Sequence, residues 1–279
     1  MPDQHWIETY RGVVFRWEVD ANDHMTVAYY LQRFGDSSLK ILHALGLGPA
    51  ATLDCFIHYR HELRVNDLLH VESAVIGVEP DALVLGHRLL ETAEGALCTT
   101  VEQRLAVTLT PEQRRAAEAH RVAWDGPRRE VRPRPAGLAG FTDSARDTVK
   151  ASEVDALGQL DPSAAVHRFS AANGHVLAAF GLSPRYMREN QRGFSTFEFQ
   201  LAFEAGVRAG DPLRVQSALT HVGNSSMRIL HVMTNEATGA RVSTLEQSGV
   251  QLDLDARRPA PLSPELRARA TTLLVAVSA

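Results

Sequence analysis

Glu18-Val19-Asp20-Ala21 recurs as Glu153-Val154-Asp155-Ala156, and the likeness spreads outward from there. At a constant offset of 135 residues the run 18–47 lies ungapped on 153–182, matching at Arg33/Arg168, Phe34/Phe169, Leu42/Leu177, Ala44/Ala179 and Gly46-Leu47/Gly181-Leu182. At an offset of 144, Asp67/Asp211, Leu69/Leu213, Val71/Val215, Ser73/Ser217, His87/His231, Gly95/Gly239 and Gln103/Gln247 coincide. At an offset of 153, Leu109-Thr110-Pro111-Glu112 meets Leu262-Ser263-Pro264-Glu265. Two copies of a long unit mean two homologous domains in tandem; a solenoid needs three or more short repeats. Homologous halves can pack as a pseudo-dimer, which would double any site at their interface.

Within each half the order of elements is the same. Gly12 to Val19 alternates Val13, Phe15, Trp17 and Val19 and reads as a strand. A polar turn over 20–24 leads into a helical pattern from Val27 to Leu45, with Gly46 placed to end it. Strand-like runs follow over 55–64, 68–78, 82–92 and 96–109. Thr110-Pro111 and Ser263-Pro264 each start a closing helix, a cap residue followed by proline at the first helical position. The expected fold class is α+β: one long helix against a curved antiparallel sheet, twice. The expected domains are 1–125 and 141–279, joined by a linker over 126–140 rich in Pro, Arg and Gly. The second half carries nine extra residues within 183–197, either a flap over a pocket or a solvated insertion.

Composition narrows the function. The 279 residues carry a net charge of −4, with no basic stripe of the kind nucleic acid requires. The first 24 residues have no apolar run, so no signal peptide is expected, and the apolar stretch at 273–277 is too short to span a bilayer. Two cysteines, Cys55 and Cys98, make no disulfide framework and suit a reducing cytoplasm. No metal-ligand spacing, glycine-rich phosphate loop or serine-hydrolase elbow is present, so no metal and no cofactor is expected.

The chemistry points to Asp20-Ala-Asn-Asp-His-Met-Thr-Val. A carboxylate just before a helix start stands beside N–H groups that have no intrahelical partner and can receive an oxyanion. The plainer reading of Asp20 is a helix cap. His24 is either an orienting group or a structural hydrogen-bonding partner. Glu62 and Glu204 read as surface charges, and His87 and His231 as satisfied sheet histidines. Trp17, Tyr29, Tyr30, Phe56 and Tyr59 line an acyl pocket, enclose a quaternary ammonium, or are core.

The run Asp20-x-Asn22-x-His24-Met25-x-x-Ala28-x-Tyr30-Leu31-x-x-Phe34-x-Asp36 resembles a segment of the hot-dog-fold acyl-CoA thioesterases of the 4-hydroxybenzoyl-CoA thioesterase type. Asn66-Asp67-x-Leu69-x-Val71 and Gly210-Asp211-x-Leu213-x-Val215 resemble that family's strand start, and Asp155-Ala-Leu-Gly158-Gln159 a variant of its loop. The resemblance implies a tandem, double hot-dog protein that hydrolyses acyl-CoA, with CoA as part of the substrate and lying between the halves. It implies Asp20 and Asp155 as catalytic carboxylates, and His24, Met25, Thr26, Val27, Gly158 and Gln159 around the substrate. Thr26-Val27 departs from the family's Asn-Asn pair. The second half has Leu160-Asp161-Pro162 against Met25-Thr26-Val27, and Ala171 against Asp36, which puts the Asp155 site in doubt. The partner is an acyl-CoA or an acyl carrier protein thioester, with neither nucleic acid nor membrane, and a homo-oligomer is compatible with the sequence. A hot-dog dehydratase or hydratase, using His24 with Asp20, and a non-catalytic acyl-thioester-binding protein are the rival readings.

Overall fold

The computed structural model describes residues 6–155 and 157–277, so Ala156 of the repeated tetrapeptide lies outside the described residues. The chain divides into two compact units, Met1–Arg128 and Arg129–Ala279. In the first, strand β1 (Ile7–Val13) precedes helix α1 (Val27–Ala44), strands β2 (Thr52–Tyr59), β3 (Leu68–Val78), β4 (Ala82–Glu91) and β5 (Leu97–Ala106), and helix α2 (Pro111–Ala119). The strands form an antiparallel sheet in the order β1-β3-β4-β5-β2. Helix α1 packs on β1, β3 and β4. Its Ile41 and Leu42 meet Val75, Leu83, Leu85 and Leu105, all buried. Gly46 stands just past the end of α1 at φ 69°, the left-handed conformation that glycine adopts without strain.

The second unit repeats this plan. Strand β6 (Thr142–Thr148) and helix α3 (Pro162–Ala179) are followed by a short helix α4 (Pro184–Glu189), then β7 (Arg192–Phe203), β8 (Pro212–Val222), β9 (Ser226–Asn235) and β10 (Arg241–Asp253). A two-residue strand β11 (Arg258–Pro259) pairs with β10, and helix α5 (Pro264–Thr272) closes the unit. The sheet order is β6-β8-β9-β10-β7, again antiparallel, with α3 on β6, β8 and β9. The two units are hot-dog folds in tandem, each a long helix wrapped by its own sheet. Thr110 and Ser263 cap α2 and α5 through the Gln113 and Leu266 N–H groups, 3.2 Å each. Among the described residues no helix is long and apolar enough to cross a membrane.

Two expectations are corrected. The first strand is β1, ending at Val13; residues Arg16–Glu18 form a 3-10 turn instead. The alternation at Val13, Phe15 and Trp17 does not mark one buried face, because Phe15 and Trp17 are both exposed while Glu18 is buried. The extra sequence at 183–197 is part of the second core. Ser183 caps α4 through the Tyr186 N–H (3.2 Å), and Tyr186, Met187 and Phe194 pack against the Val176–Leu182 cluster. Within the second unit the Arg132 guanidinium lies 2.5 Å from Glu198 and 3.0 Å from Glu246.

The paired histidines lie at the centre of each unit. His87 Nδ1 is 2.7 Å from Ser73 Oγ and its Nε2 is 3.2 Å from Gln103 Oε1, while Ser38 donates to the same Gln103 oxygen (2.6 Å). His231 Nδ1 is 2.6 Å from Ser217 Oγ. Burial pushes His87 down to about 4 and His231 down to about 3, so both are neutral in the fold. His167 is lowered too, by desolvation and by Arg168. Unfolded, each returns to about 6.5. The stability they carry is therefore complete above about pH 6.5 and drains as pH falls toward 4, because the unfolded chain then binds more protons. Carboxylates held below their ordinary range, such as Glu153, join only below about pH 4.5. Thermal unfolding followed by circular dichroism should show a melting temperature that is flat above about pH 7 and falls between about pH 6.5 and 4.5. His87→Gln should flatten that slope; an unchanged slope would show that His87 is not the titrating group.

Candidate active site

The segment from Val14 to Thr26 is built on one buried charge. Glu18 accepts the Phe15 N–H at 3.0 Å and pairs with Arg33 of α1; both side chains are buried. Arg33 also lies over the Tyr10 ring, 5.3 Å from its centroid. The second unit repeats the device: Glu153 accepts the Lys150 N–H and an Arg168 N–H, 2.8 Å each, and Asp147 takes Arg168 Nε at 2.8 Å. Burial opposes ionisation of Glu153, but Arg168 outweighs it and holds the carboxyl below its ordinary range. A buried ion pair that loses one partner costs about 3–5 kcal/mol, so each turn is fixed to its helix.

Beyond Glu18 the chain closes a small loop. The Asp20 N–H donates to His24 O at 2.8 Å, the Asp23 N–H to Asp20 O at 3.1 Å, and Val19 bridges to Met25. Asp20 Oδ1 accepts the N–H groups of Asn22 (2.8 Å) and His24 (3.2 Å). The Asn22 amide lies 3.4 Å from Oδ2. Asp155 does the same with the Leu157 and Gln159 N–H groups, 2.9 and 2.8 Å. Asp23 and Gly158 occupy the same left-handed position, φ 60° and 75°. The shared geometry of the two aspartates is thus loop closure, and the cap residue of α1 is Thr26, not Asp20.

The two helix starts differ. Thr26 makes no side-chain cap bond among the described residues; its own N–H is spent on Glu18 O at 2.8 Å. The first N–H groups of α1, at Val27 and Ala28, have no intrahelical acceptor and point out of the positive end of the helix. At α3 that end is filled. Asp161 Oδ1 accepts the N–H groups of Ser163 (2.8 Å) and Ala164 (3.2 Å), and Pro162 has no N–H to offer.

His24 is the second difference. Its side chain is only 12% exposed, and Nε2 sits 2.8 Å from a Glu62 carboxylate oxygen, at an angle too poor for a full hydrogen bond. Glu62 lies between β2 and β3, and the loop is tied to the site by the Met25 N–H on Leu63 O, 2.7 Å. The second unit has Gln159 and Gly206 at these positions. Glu62 is therefore not the isolated surface charge expected of it. The signal for the pairing was the joint loss of both residues across the repeat. Glu204, by contrast, is a surface charge, 3.7 Å from Arg241.

The remaining candidates separate cleanly. Met25 is buried and brings only backbone to the loop, while Thr26 and Val27 are half-buried at the helix start. Gly158 accepts the Val207 N–H at 2.9 Å and so holds the second loop. Tyr30 and Phe56 are core, Tyr30 meeting Tyr59 edge-on at 5.3 Å. Neither cysteine is in a disulfide and both are buried, and burial pushes Cys98 up to about 11, which leaves it protonated and a poor nucleophile.

Three solved structures share the fold across most of both chains. An acyl-ACP thioesterase from Bacteroides thetaiotaomicron is 12% identical at a TM-score of 0.67, covering 88% of this chain and 98% of its own. A putative oleoyl thioesterase from Lactobacillus plantarum is 11% identical at 0.68, with 87% and 95% covered. The 12:0-ACP thioesterase from Umbellularia californica is 10% identical at 0.65, with 88% and 94% covered. At such identities the likeness is one of fold. No curated protein matches the chain in sequence. The profile of the thioesterase-like superfamily matches residues 13–123 and again 149–270, once per unit, and the chain belongs to that superfamily.

Proposed function

We propose that this protein hydrolyses acyl thioesters, and that it does so at the Asp20 loop of the first unit. The observation that carries the reading is the contrast between the two helix starts. The start of α1 has no side-chain cap among the described residues, and the start of α3 is filled by Asp161. A thioester carbonyl set on the Val27 and Ala28 N–H groups is polarised there, and the oxyanion that forms on attack is stabilised in place. The Asp20 carboxylate takes a proton from water as the water oxygen bonds to the carbonyl carbon. Collapse of the tetrahedral intermediate breaks the C–S bond, and the sulfur leaves with the electron pair as a thiolate. A thiol's modest pKa makes that departure easy without an acid. His24, held by Glu62, borders the loop and orders the water. Support for a thioester substrate comes from superfamily membership. An acyl-CoA is the substrate form we favour.

A second reading has one specific observation behind it. An imidazole beside a carboxylate, His24 with Glu62, is also what hydration of an enoyl thioester requires. Free-thiol release across a panel of acyl-CoAs, run beside an enoyl-CoA hydration assay, separates the two. Thiol release without hydration is the result expected.

Asp20→Asn should lower hydrolysis by about a hundredfold or more, the usual contribution of a positioned acid–base group. The asparagine oxygen accepts the same two backbone N–H groups, so the melting temperature should not move. Full activity at an unchanged melting temperature would remove Asp20 from the chemistry.

Asp155→Asn should cost far less than Asp20→Asn on the best substrate, because the helix start beside Asp155 has its donors occupied. One oxyanion donor is worth about 3 kcal/mol in the transition state. Equal losses, or a greater loss at Asp155, would place the active half wrongly.

A further inference from the structure

We propose that the exposed Phe15–Trp17 ledge beside the Asp20 loop seats the adenine base of a CoA thioester, with neighbouring arginines receiving its phosphates. This rests on the thioesterase reading of that loop and specifies the carrier of its substrate. The two rings are stacked, 4.6 Å between centroids and 6° from parallel, and Trp17 is 70% exposed. The pair leaves an aromatic face open to water, of the kind on which a flat base stacks. It is also held ready, since Glu18, the next residue, is buried on Arg33 and grips the Phe15 N–H.

Charge surrounds the ledge. Arg16 stands between the two rings in sequence and its side chain is 80% exposed, with a long 3.5 Å contact to Asp23. Val14 accepts the Asn66 N–H at 2.9 Å and donates to Asp67 O at 3.0 Å, which brings the turn carrying Arg64 against the ledge. Arg60 and Arg64 are exposed on that loop; the carboxylates beside these arginines are Glu62 and Asp67 on the loop and Asp23 on Arg16. CoA offers a purine, which stacks on any aromatic face, and three phosphoryl groups, which arginines bind in pairs of hydrogen bonds. A carrier protein presents no base to stack.

The second unit acts as an internal control. Its backbone bonds recur, Val149 N–H to Asp211 O at 3.0 Å and Gly210 N–H to Val149 O at 2.8 Å. Yet the turn there reads Lys150-Ala151-Ser152, and Glu204 replaces Arg60. A ledge needed for folding would recur with the scaffold. The two rings do not recur; they stand only in the unit with the His24–Glu62 pair, whereas Arg64 is kept as Arg208. The reach also fits. Two residues, Glu18 and Val19, separate Trp17 from Asp20, at most about 11 Å of chain, and the pantetheine arm is as long as about four extended residues.

The test uses the full chain, wild type and Trp17→Ala, with calorimetric titration of CoA and of 3′,5′-adenosine bisphosphate. Wild type should bind both, and Trp17→Ala should weaken both by about tenfold at an unchanged melting temperature. In hydrolysis the variant's KM should rise on acyl-CoA and stay constant on the matching acyl-pantetheine, which lacks the nucleotide. The proposal is overturned if wild type binds neither ligand, if the variant binds them equally well, or if the acyl-pantetheine reaction suffers the same loss. It is equally overturned if Trp17→Ala impairs only acyl carrier protein thioesters, which would make the ledge a protein-docking surface. Nucleotide binding that depends on Trp17 in a protein that cleaves no thioester would keep the ledge and discard the hydrolytic reading.

Discussion

Glu18 and Arg33 bury opposite charges against each other between the turn before the loop and the first turns of the long helix. Neither charge is tolerable there alone, so the pair sets where the loop must sit. Glu18 also binds the Phe15 N–H and lends its own carbonyl to the Thr26 N–H. Through these bonds one residue fixes the ledge on one side, the helix start on the other, and the Asp20 loop between them. Glu153 and Arg168 do the same in the second unit. The repeated Glu-Val-Asp-Ala is the trace of this device: Glu pairs with Arg, Val bridges across the loop, and Asp closes it.

With the scaffold kept in both copies, divergence is confined to what the scaffold presents. In the first unit no side chain caps the helix start among the described residues, and His24 meets Glu62. In the second, Asp161 and Pro162 close the helix end, and Gln159 and Gly206 replace the pair. Asp161 is a good cap by the rules that stabilise helices. That is why it is a poor neighbour for a reacting carbonyl: donors already bonded to a carboxylate cannot also hold an oxyanion. The second unit has exchanged open donors for a better-capped helix.

Much of this was legible in the sequence because it is governed by local physics. The helix at 27–44, the strand at 68–78 and the caps Thr110 and Ser263 announce themselves by periodicity and by residue chemistry within a few positions. The duplication exposed the loop as a unit. The ledge was misread as strand because Phe15 and Trp17 alternate with polar neighbours. Alternation cannot tell a buried stripe from two rings stacked in the open. Glu62 was missed because its meeting with His24 depends on how the loop after β2 folds back onto Met25, which no local pattern records. The insertion at 183–197 looked like loop chemistry, with Ser-Pro at its start. Its apolar residues, Tyr186, Met187 and Phe194, find a core only once α3 and α5 are in place.

The proposed mechanism sets the thioester carbonyl at the start of α1 and not at the capped start of α3. A crystal structure with a non-hydrolysable ketone analogue of an acyl-CoA tests it most directly. The carbonyl oxygen should lie about 3 Å from the Val27 and Ala28 N–H groups, with the Asp161 carboxylate still on Ser163 and Ala164. An analogue seated at α3 with Asp161 displaced, or one whose carbonyl oxygen faces no helix N–H, would contradict it.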